Sequence, residues 1–189
     1  MGKKSQKALQ GIIWGLGGLL TAAAASAAGW ILYSRKYINH RQTLDKAIDA
    51  ERKEFDSEEA GRLSYYLDED GKGTPLLLLH SINAAPSSFE LKPIFERFRK
   101  QRPVYALDLP GYGYSERSER LYWPEHFQNA INSFLEKIVG KPTDVIALSL
   151  SSEFAALAAL NNPQNIRSLV MISPTGFNPP VMDRFSDQT

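Results

Sequence analysis

Hydrophobic and polar residues divide the chain into three stretches. Residues 11–33 carry no charge, residues 34–60 are dominated by charge with Leu44, Ile48 and Phe55 as the main apolar positions, and beyond residue 60 short apolar runs alternate with stretches of helical periodicity. As a helix the uncharged stretch would reach about 34 Å, enough to cross a hydrocarbon core of ~30 Å. The pattern predicts a basic tail at 1–10, a transmembrane helix at 11–33 and a charged juxtamembrane spacer at 34–60. Trp14 at one end and Trp30 and Tyr33 at the other stand where interfacial aromatics are expected, and Lys3, Lys4, Lys7, Arg35 and Lys36 bracket the span. Gly11, Gly15, Gly18 and Ala22 fall near one helical face, which would permit helix–helix self-association in lipid. The alternative is a cleaved signal peptide, since Ala25-Ser26-Ala27 has the small-x-small form of a cleavage site and would leave a secreted protein. The apolar run continues past that site through Trp30, Ile31 and Leu32, which suits an uncleaved, single-pass membrane anchor better. The flanking cations nearly balance, so the direction of insertion stays open.

Beyond residue 60, Leu63, Tyr65 and Leu67 alternate onto one face, Asp70-Gly-Lys-Gly73 supplies a turn, and residues 75–79 form a continuous apolar run. This predicts an edge hairpin leading into a buried strand. Ser87 and Glu90 have capping-box spacing, and Leu91, Ile94, Phe95 and Phe98 share a helical face. Pro93 leaves two helix starts open, one at Ser87 and one near Lys92 after a short turn. Residues 104–109 read as a second buried strand. Residues 124–138 read as an amphipathic helix presenting Phe127, Ile131, Phe134 and Leu135, with Gly140 as its stop. Residues 145–148 and 166–172 supply two more strand-like runs, separated by an alanine-rich helical segment that ends at Asn161-Asn162-Pro163. Strands alternating with helices predict an α/β fold with a doubly wound, mostly parallel sheet, in a domain at 61–189.

Composition narrows the chemistry. A net charge of +1, with 22 basic residues dispersed along the chain, gives no electrostatic footprint for nucleic acid. The absence of cysteine removes thiolate nucleophiles, thiolate metal sites and disulfides, and His40, His80 and His126 are too scattered to suggest a metal cluster. No cofactor or metal is implied.

The chemistry is carried by three junctions. Residues 145–148 lead without a spacer into Ser149 and then a helix, and the residues two before and two after that serine, Ala147 and Ser151, are small. A sharp strand-to-helix turn crowds those two positions, so Ser151 is a poorer centre: its own frame would place Glu153 where a small side chain is required. A serine in such a place can also be no more than a helix cap. The run at 75–79 ends in His80-Ser-Ile82, and the strand at 104–109 runs into Asp108-Leu-Pro-Gly-Tyr-Gly-Tyr-Ser115, where Pro110 fixes one dihedral and Gly111 and Gly113 permit conformations that a side chain resists.

These junctions, in this order, resemble the amino-terminal half of the α/β-hydrolase superfamily. Ser149 resembles the nucleophile of the Gly-x-Ser-x-Gly elbow, with both glycines replaced. His80-Ser81-Ile82 resembles the His-Gly-x end of the third strand, with serine for glycine, and residues 108–115 match Asp-x-Pro-Gly-x-Gly-x-Ser at every fixed position. The resemblance implies Ser149 as nucleophile toward an ester, amide or similar small or lipid-like substrate. It further implies the backbone amides of Ile82 and Leu150 as the oxyanion hole, and His80, Asp108, Pro110, Gly111 and Gly113 as structural loop residues. In that family the acid and the histidine follow the serine, and no histidine follows Ser149. The expected domain is therefore one truncated before the lid and last strands. A membrane-tethered, non-catalytic hydrolase-like binding protein is the alternative.

Overall fold

The computed structural model describes residues 3–38, 44–119 and 121–176, without the side chains of residues 3–17 and 19. Two compact units divide at residues 43 and 44.

The first unit is one helix, α1 (Lys3–Tyr37). Its backbone covers the predicted span, yet among the described residues no helix is long and apolar enough to cross a membrane. Among the described side chains its central stretch is Thr21-Ala-Ala-Ala-Ala-Ser-Ala-Ala-Gly29, whose small residues carry little apolar surface. Ile12, Ile13, Trp14 and Leu16, the bulkier part of the predicted span, lie outside the described side chains, as do Gly11 and Gly15 of the small-residue face. His40 and the tail beyond Gly176 are also outside the described residues.

The second unit is a six-stranded mixed sheet with helices on both faces. In chain order it comprises β1 (Glu51–Ser57), β2 (Gly61–Asp68), β3 (Leu76–Leu79), α2 (Lys92–Phe98), β4 (Val104–Asp108), α3 (Pro124–Phe134), β5 (Thr143–Leu148), α4 (Ser151–Asn161) and β6 (Ile166–Ile172). The strand order is β1-β2-β4-β3-β5-β6, with β1, β2 and β4 antiparallel to one another in turn and β4, β3, β5 and β6 parallel. The hairpin expected between 62–67 and 75–79 does not form. Strand β2 turns back on β1 instead, and its other neighbour is β4. Strand β1 falls inside the stretch read as a charged spacer. It is an edge strand whose Glu51, Lys53 and Glu54 face solvent while Phe55 packs 5.7 Å from Phe134, and charge on an edge blocks unwanted pairing. Just before it, Ala47, Ile48 and Ala50 are buried against Tyr66 and Phe95.

Alternation along the central strands divides the core between two faces. Leu77 and Leu79 of β3 and Tyr105 and Leu107 of β4 pack with Phe127, Phe134 and Phe154 of α3 and α4, while Leu76, Leu78, Val104 and Ala106 pack under Leu91 and Phe95 of the α2 region. All four β3 leucines are at most 2 % exposed, which explains why a strand covered on both faces reads as an unbroken apolar run. Of the two starts left open for α2, the later is observed: a short turn over Ser88–Leu91, capped by Ser87, precedes the helix at Lys92. The Glu90 side chain does not complete a capping box; its carboxylate turns to Ser81. Among the described residues β6 is an edge strand, with Val170, Met171 and Ile172 exposed and Leu157 and Leu160 of α4 also exposed.

Candidate active site

Between β5 and α4 the chain reverses through Ser149, whose φ is +54°. A side chain in this left-handed region costs about 1–2 kcal/mol, and the surroundings hold it there. The Ser149 amide donates to the Ile172 carbonyl at 2.9 Å and its carbonyl accepts from the Ser152 amide at 3.0 Å. The crowded neighbours are both fully buried: Ala147 lies in the core, and Ser151 donates its hydroxyl to the carbonyl oxygen of His80. With its hydroxyl buried and bonded, Ser151 cannot face a substrate. Ser149 is half-buried at the amino end of α4, where the helix dipole favours negative charge.

Beside the elbow, β3 ends in the His80 loop. The His80 ring is buried, its Nε2 accepts from the Leu109 amide at 2.9 Å, and its Nδ1 lies 2.7 Å from the Ser81 carbonyl oxygen. Because an amide can only donate, Nε2 is the acceptor and the proton sits on Nδ1, donated to Ser81. Burial pushes the imidazole pKa down, so the ring is held neutral. Both nitrogens are committed, which leaves His80 as a link between the β3 and β4 loops and not as a base.

The Asp108 loop is arranged around its carboxylate. Asp108 Oδ1 accepts from the Ser88 amide at 2.9 Å and the Ser88 hydroxyl at 2.7 Å, and Oδ2 from the Tyr114 amide at 3.0 Å. Pro110 is buried, and Gly111 and Gly113 have φ of +85° and +51°. Ser115, the last residue of the motif, donates its hydroxyl to the Asp108 carbonyl and accepts from the Ser64 amide at 2.9 Å, tying the loop to β2. A cavity of about 220 Å³ lies on this side, lined by Ala84, Ser87, Asp108, Gly113 and Tyr114 and not by Ser149.

Register brings the three junctions together. Leu79 pairs with Ala147 on one side and Leu107 on the other, so Ile82, Ser149 with Leu150, and Asp108 emerge at the carboxyl ends of adjacent parallel strands. Among the described residues, neither the Ile82 nor the Leu150 amide donates a hydrogen bond. A half-buried hydroxyl beside two free amides suits attack on a carbonyl with the oxyanion held by N–H donors. Among the described residues no histidine free to act as a base is brought to Ser149: His126 sits at the start of α3, accepting from the Trp123 amide at 3.2 Å. Sequence reasoning missed Glu90 and Asn83 as members of this neighbourhood. For Asn83 the signal was its tendency to bond the backbone two residues on, as it does to the Ala85 amide at 3.1 Å.

A strand-serine-helix turn at the carboxyl edge of a sheet ordered in this way defines the class of α/β hydrolases. The profile of the alpha/beta hydrolase fold family matches residues 74–188, and the chain belongs to that family. It is 25% identical over 123 residues to a 2-hydroxymuconate semialdehyde hydrolase of Pseudomonas sp. strain CF600, covering 62% of this chain and 42% of that protein. It is 32% identical over 111 residues to the rat 1-acylglycerol-3-phosphate O-acyltransferase ABHD5, covering 55% of this chain and 30% of that protein. A solved structure of a Pseudomonas aeruginosa hydrolase superposes with a TM-score of 0.62 at 20% identity, over 70% of this chain and 49% of the other. The chain thus spans less than half the length of the relatives it matches.

Proposed function

We propose that the protein is a serine hydrolase acting on an ester, amide or similar small or lipid-like substrate, with Ser149 as nucleophile and the Ile82 and Leu150 amides as the oxyanion hole. The observation that carries this reading is the positive φ of Ser149. A side chain held in the left-handed region at a strand-helix junction is strain that a plain helix cap does not need. The hydroxyl attacks the acyl carbon, its proton passes to a general base, and the carbonyl oxygen becomes the oxyanion between the two amides. His80 is committed, and among the described residues no other histidine is brought to Ser149 to act as that base.

The committed histidine also favours the second reading, a hydrolase-like binding protein without catalysis. A fluorophosphonate probe separates the two. Labelling at Ser149 that is lost in Ser149→Ala and kept in Ser151→Ala supports the nucleophile, while labelling unchanged in Ser149→Ala removes it.

Attachment to a membrane through α1 belongs to the same proposal. It is supported by the uncharged residues 11–33 and by the exposure of Leu20, Trp30, Ile31 and Leu32 around the helix. Carbonate extraction with intact-mass analysis tests it: a soluble species beginning near Ala28 would replace the anchor with a cleaved leader.

A further inference from the structure

Two successive peptide units, His80–Ser81 and Ser81–Ile82, carry four polar backbone groups, and three of them are held. The Ser81 amide donates to Glu90 Oε2 at 2.9 Å, the His80 carbonyl accepts from the Ser151 hydroxyl, and the Ser81 carbonyl accepts from His80 Nδ1 at 2.7 Å. Only the Ile82 amide is left without a partner among the described residues. No peptide here is cis, and in a planar trans unit the N–H and C=O point to opposite sides. Pinning the Ser81 carbonyl therefore sets the direction of the Ile82 N–H, and pinning both ends of the preceding unit prevents the loop from rotating beneath it.

Glu90 holds its end with more than one bond. Its Oε1 accepts from the Ser81 hydroxyl at 2.9 Å, and Asn83 Nδ2 donates to that same hydroxyl oxygen at 2.8 Å. The turn that carries Glu90 is itself fastened to β4 through Ser88 and the Asp108 carboxylate. Ser151 holds the other end from within the elbow helix, fully buried. Serines 81 and 151 stand where the Gly-x motifs of the superfamily have glycine. Both hydroxyls enter this one arrangement, so the two replacements act as a pair.

We propose that Glu90 and Ser151 are positioning residues that grip opposite ends of the His80–Ser81 peptide and so leave the Ile82 amide free and aimed at an oxyanion formed on Ser149. The proposal rests on the assignment of Ser149 and Ile82 made above. Neither residue touches the reacting atoms, and the effect passes through the peptide between them.

The test is the rate of Ser149 modification by a fluorophosphonate in the full chain, with the maximal rate and the binding constant resolved. In Glu90→Ala and in Ser151→Ala the maximal rate falls about tenfold or more, a part of what loss of a whole oxyanion donor costs, while probe binding is unchanged. Glu90→Gln restores the rate to within about threefold, because the Ser81 hydroxyl can accept as well as donate and both contacts survive. Equal maximal rates in wild type, Glu90→Ala and Ser151→Ala overturn the proposal, as does a loss that only follows the folded fraction. If wild-type protein is not labelled at Ser149, the nucleophile assignment fails separately and amide exchange by NMR decides the clamp. A Ser81 amide that is slow in wild type and fast in Glu90→Ala, with a displaced Ile82 resonance, supports it; unchanged Ser81 and Ile82 signals overturn it.

Discussion

Gly113 lies against Asp108 so closely that a β-carbon on the glycine would stand 2.2 Å from the carboxyl carbon. The contact explains why the motif needs glycine there: the φ of +51° is unfavourable for a side chain, and the space a side chain would need is filled by the group around which the loop is built. Gly113→Ala should destabilise the domain by about 3 kcal/mol, summing backbone strain and overpacking. Gly73, with φ of +117° and open space around it, should cost only about 1–2 kcal/mol as alanine, from backbone strain alone. Urea unfolding of the two variants checks the contrast, and equal losses would show that the Asp108 contact is relieved easily.

The strain at Ser149 predicts a stability gain on removing its side chain. Glycine accepts φ of +54° freely, and after its larger unfolded-state entropy is subtracted Ser149→Gly should be about 1 kcal/mol more stable than Ser149→Ala. Thermal unfolding of both variants measures this, and equal midpoints would mean that the elbow relaxes when the hydroxyl is lost.

Two groups contribute to the acid limb of stability in separate windows. His80 is neutral and has a lowered pKa when folded, because burial opposes its charge. Once the pH drops below about 6.5 the unfolded chain binds a proton that the folded one refuses, and stability falls. Asp144 accepts from Arg167 Nε at 2.7 Å and the Ser168 hydroxyl at 2.6 Å and is paired with Arg102. The Arg167 guanidinium, aided by Ser168 and Arg102, holds its carboxyl well below the usual range. Its contribution is complete above about pH 3.9 and is lost as pH falls through the depressed folded value. Urea unfolding at pH 7.5, 5.5 and 3.5 should show a first decline in wild type and Asp144→Asn alike. The further decline below about pH 4 should be reduced in Asp144→Asn, which starts about 2 kcal/mol lower at neutral pH. A flat profile between pH 7.5 and 5.5 would count against a neutral buried His80.

The exposed apolar side chains along β6 and α4 predict self-association of these 189 residues. Leu160 is 78% exposed and Val170 51% exposed, and among the described residues no strand pairs with the outer side of β6, a combination that invites another strand. Leu160→Lys with Val170→Lys should lower the weight-average mass in sedimentation while changing stability by less than about 1 kcal/mol. Unaltered association would place the sticky surface elsewhere.

The elements most legible in the sequence are those whose signal is local and apolar. Residues 76–79 are buried on both faces and read as strand, and the small neighbours of Ser149 announce a tight turn because crowding at Ala147 and Ser151 is set by the backbone itself. Strand β1 was hidden because an edge strand with charged outward positions looks like a solvated spacer until β2 is beside it. The hairpin is absent for a related reason: a turn at 70–73 is visible in sequence, but the insertion of β4 between β2 and β3 is a long-range choice. Glu90 misled because its spacing from Ser87 satisfies a local capping rule, whereas its partner lies in the preceding loop.

The place of β3 between β4 and β5 also sets a timetable for synthesis. Its leucines are complete early, yet their second neighbour is Thr143–Leu148, roughly seventy residues later. At about 5–20 residues per second the ribosome needs about 4–14 s to deliver it. During that interval the nascent chain has four leucines with a vacant hydrogen-bonding edge, and any rival strand, including β3 of a neighbouring nascent chain, can occupy it. The yield of correctly assembled protein should therefore depend on translation speed between codons 80 and 148 more than on speed elsewhere.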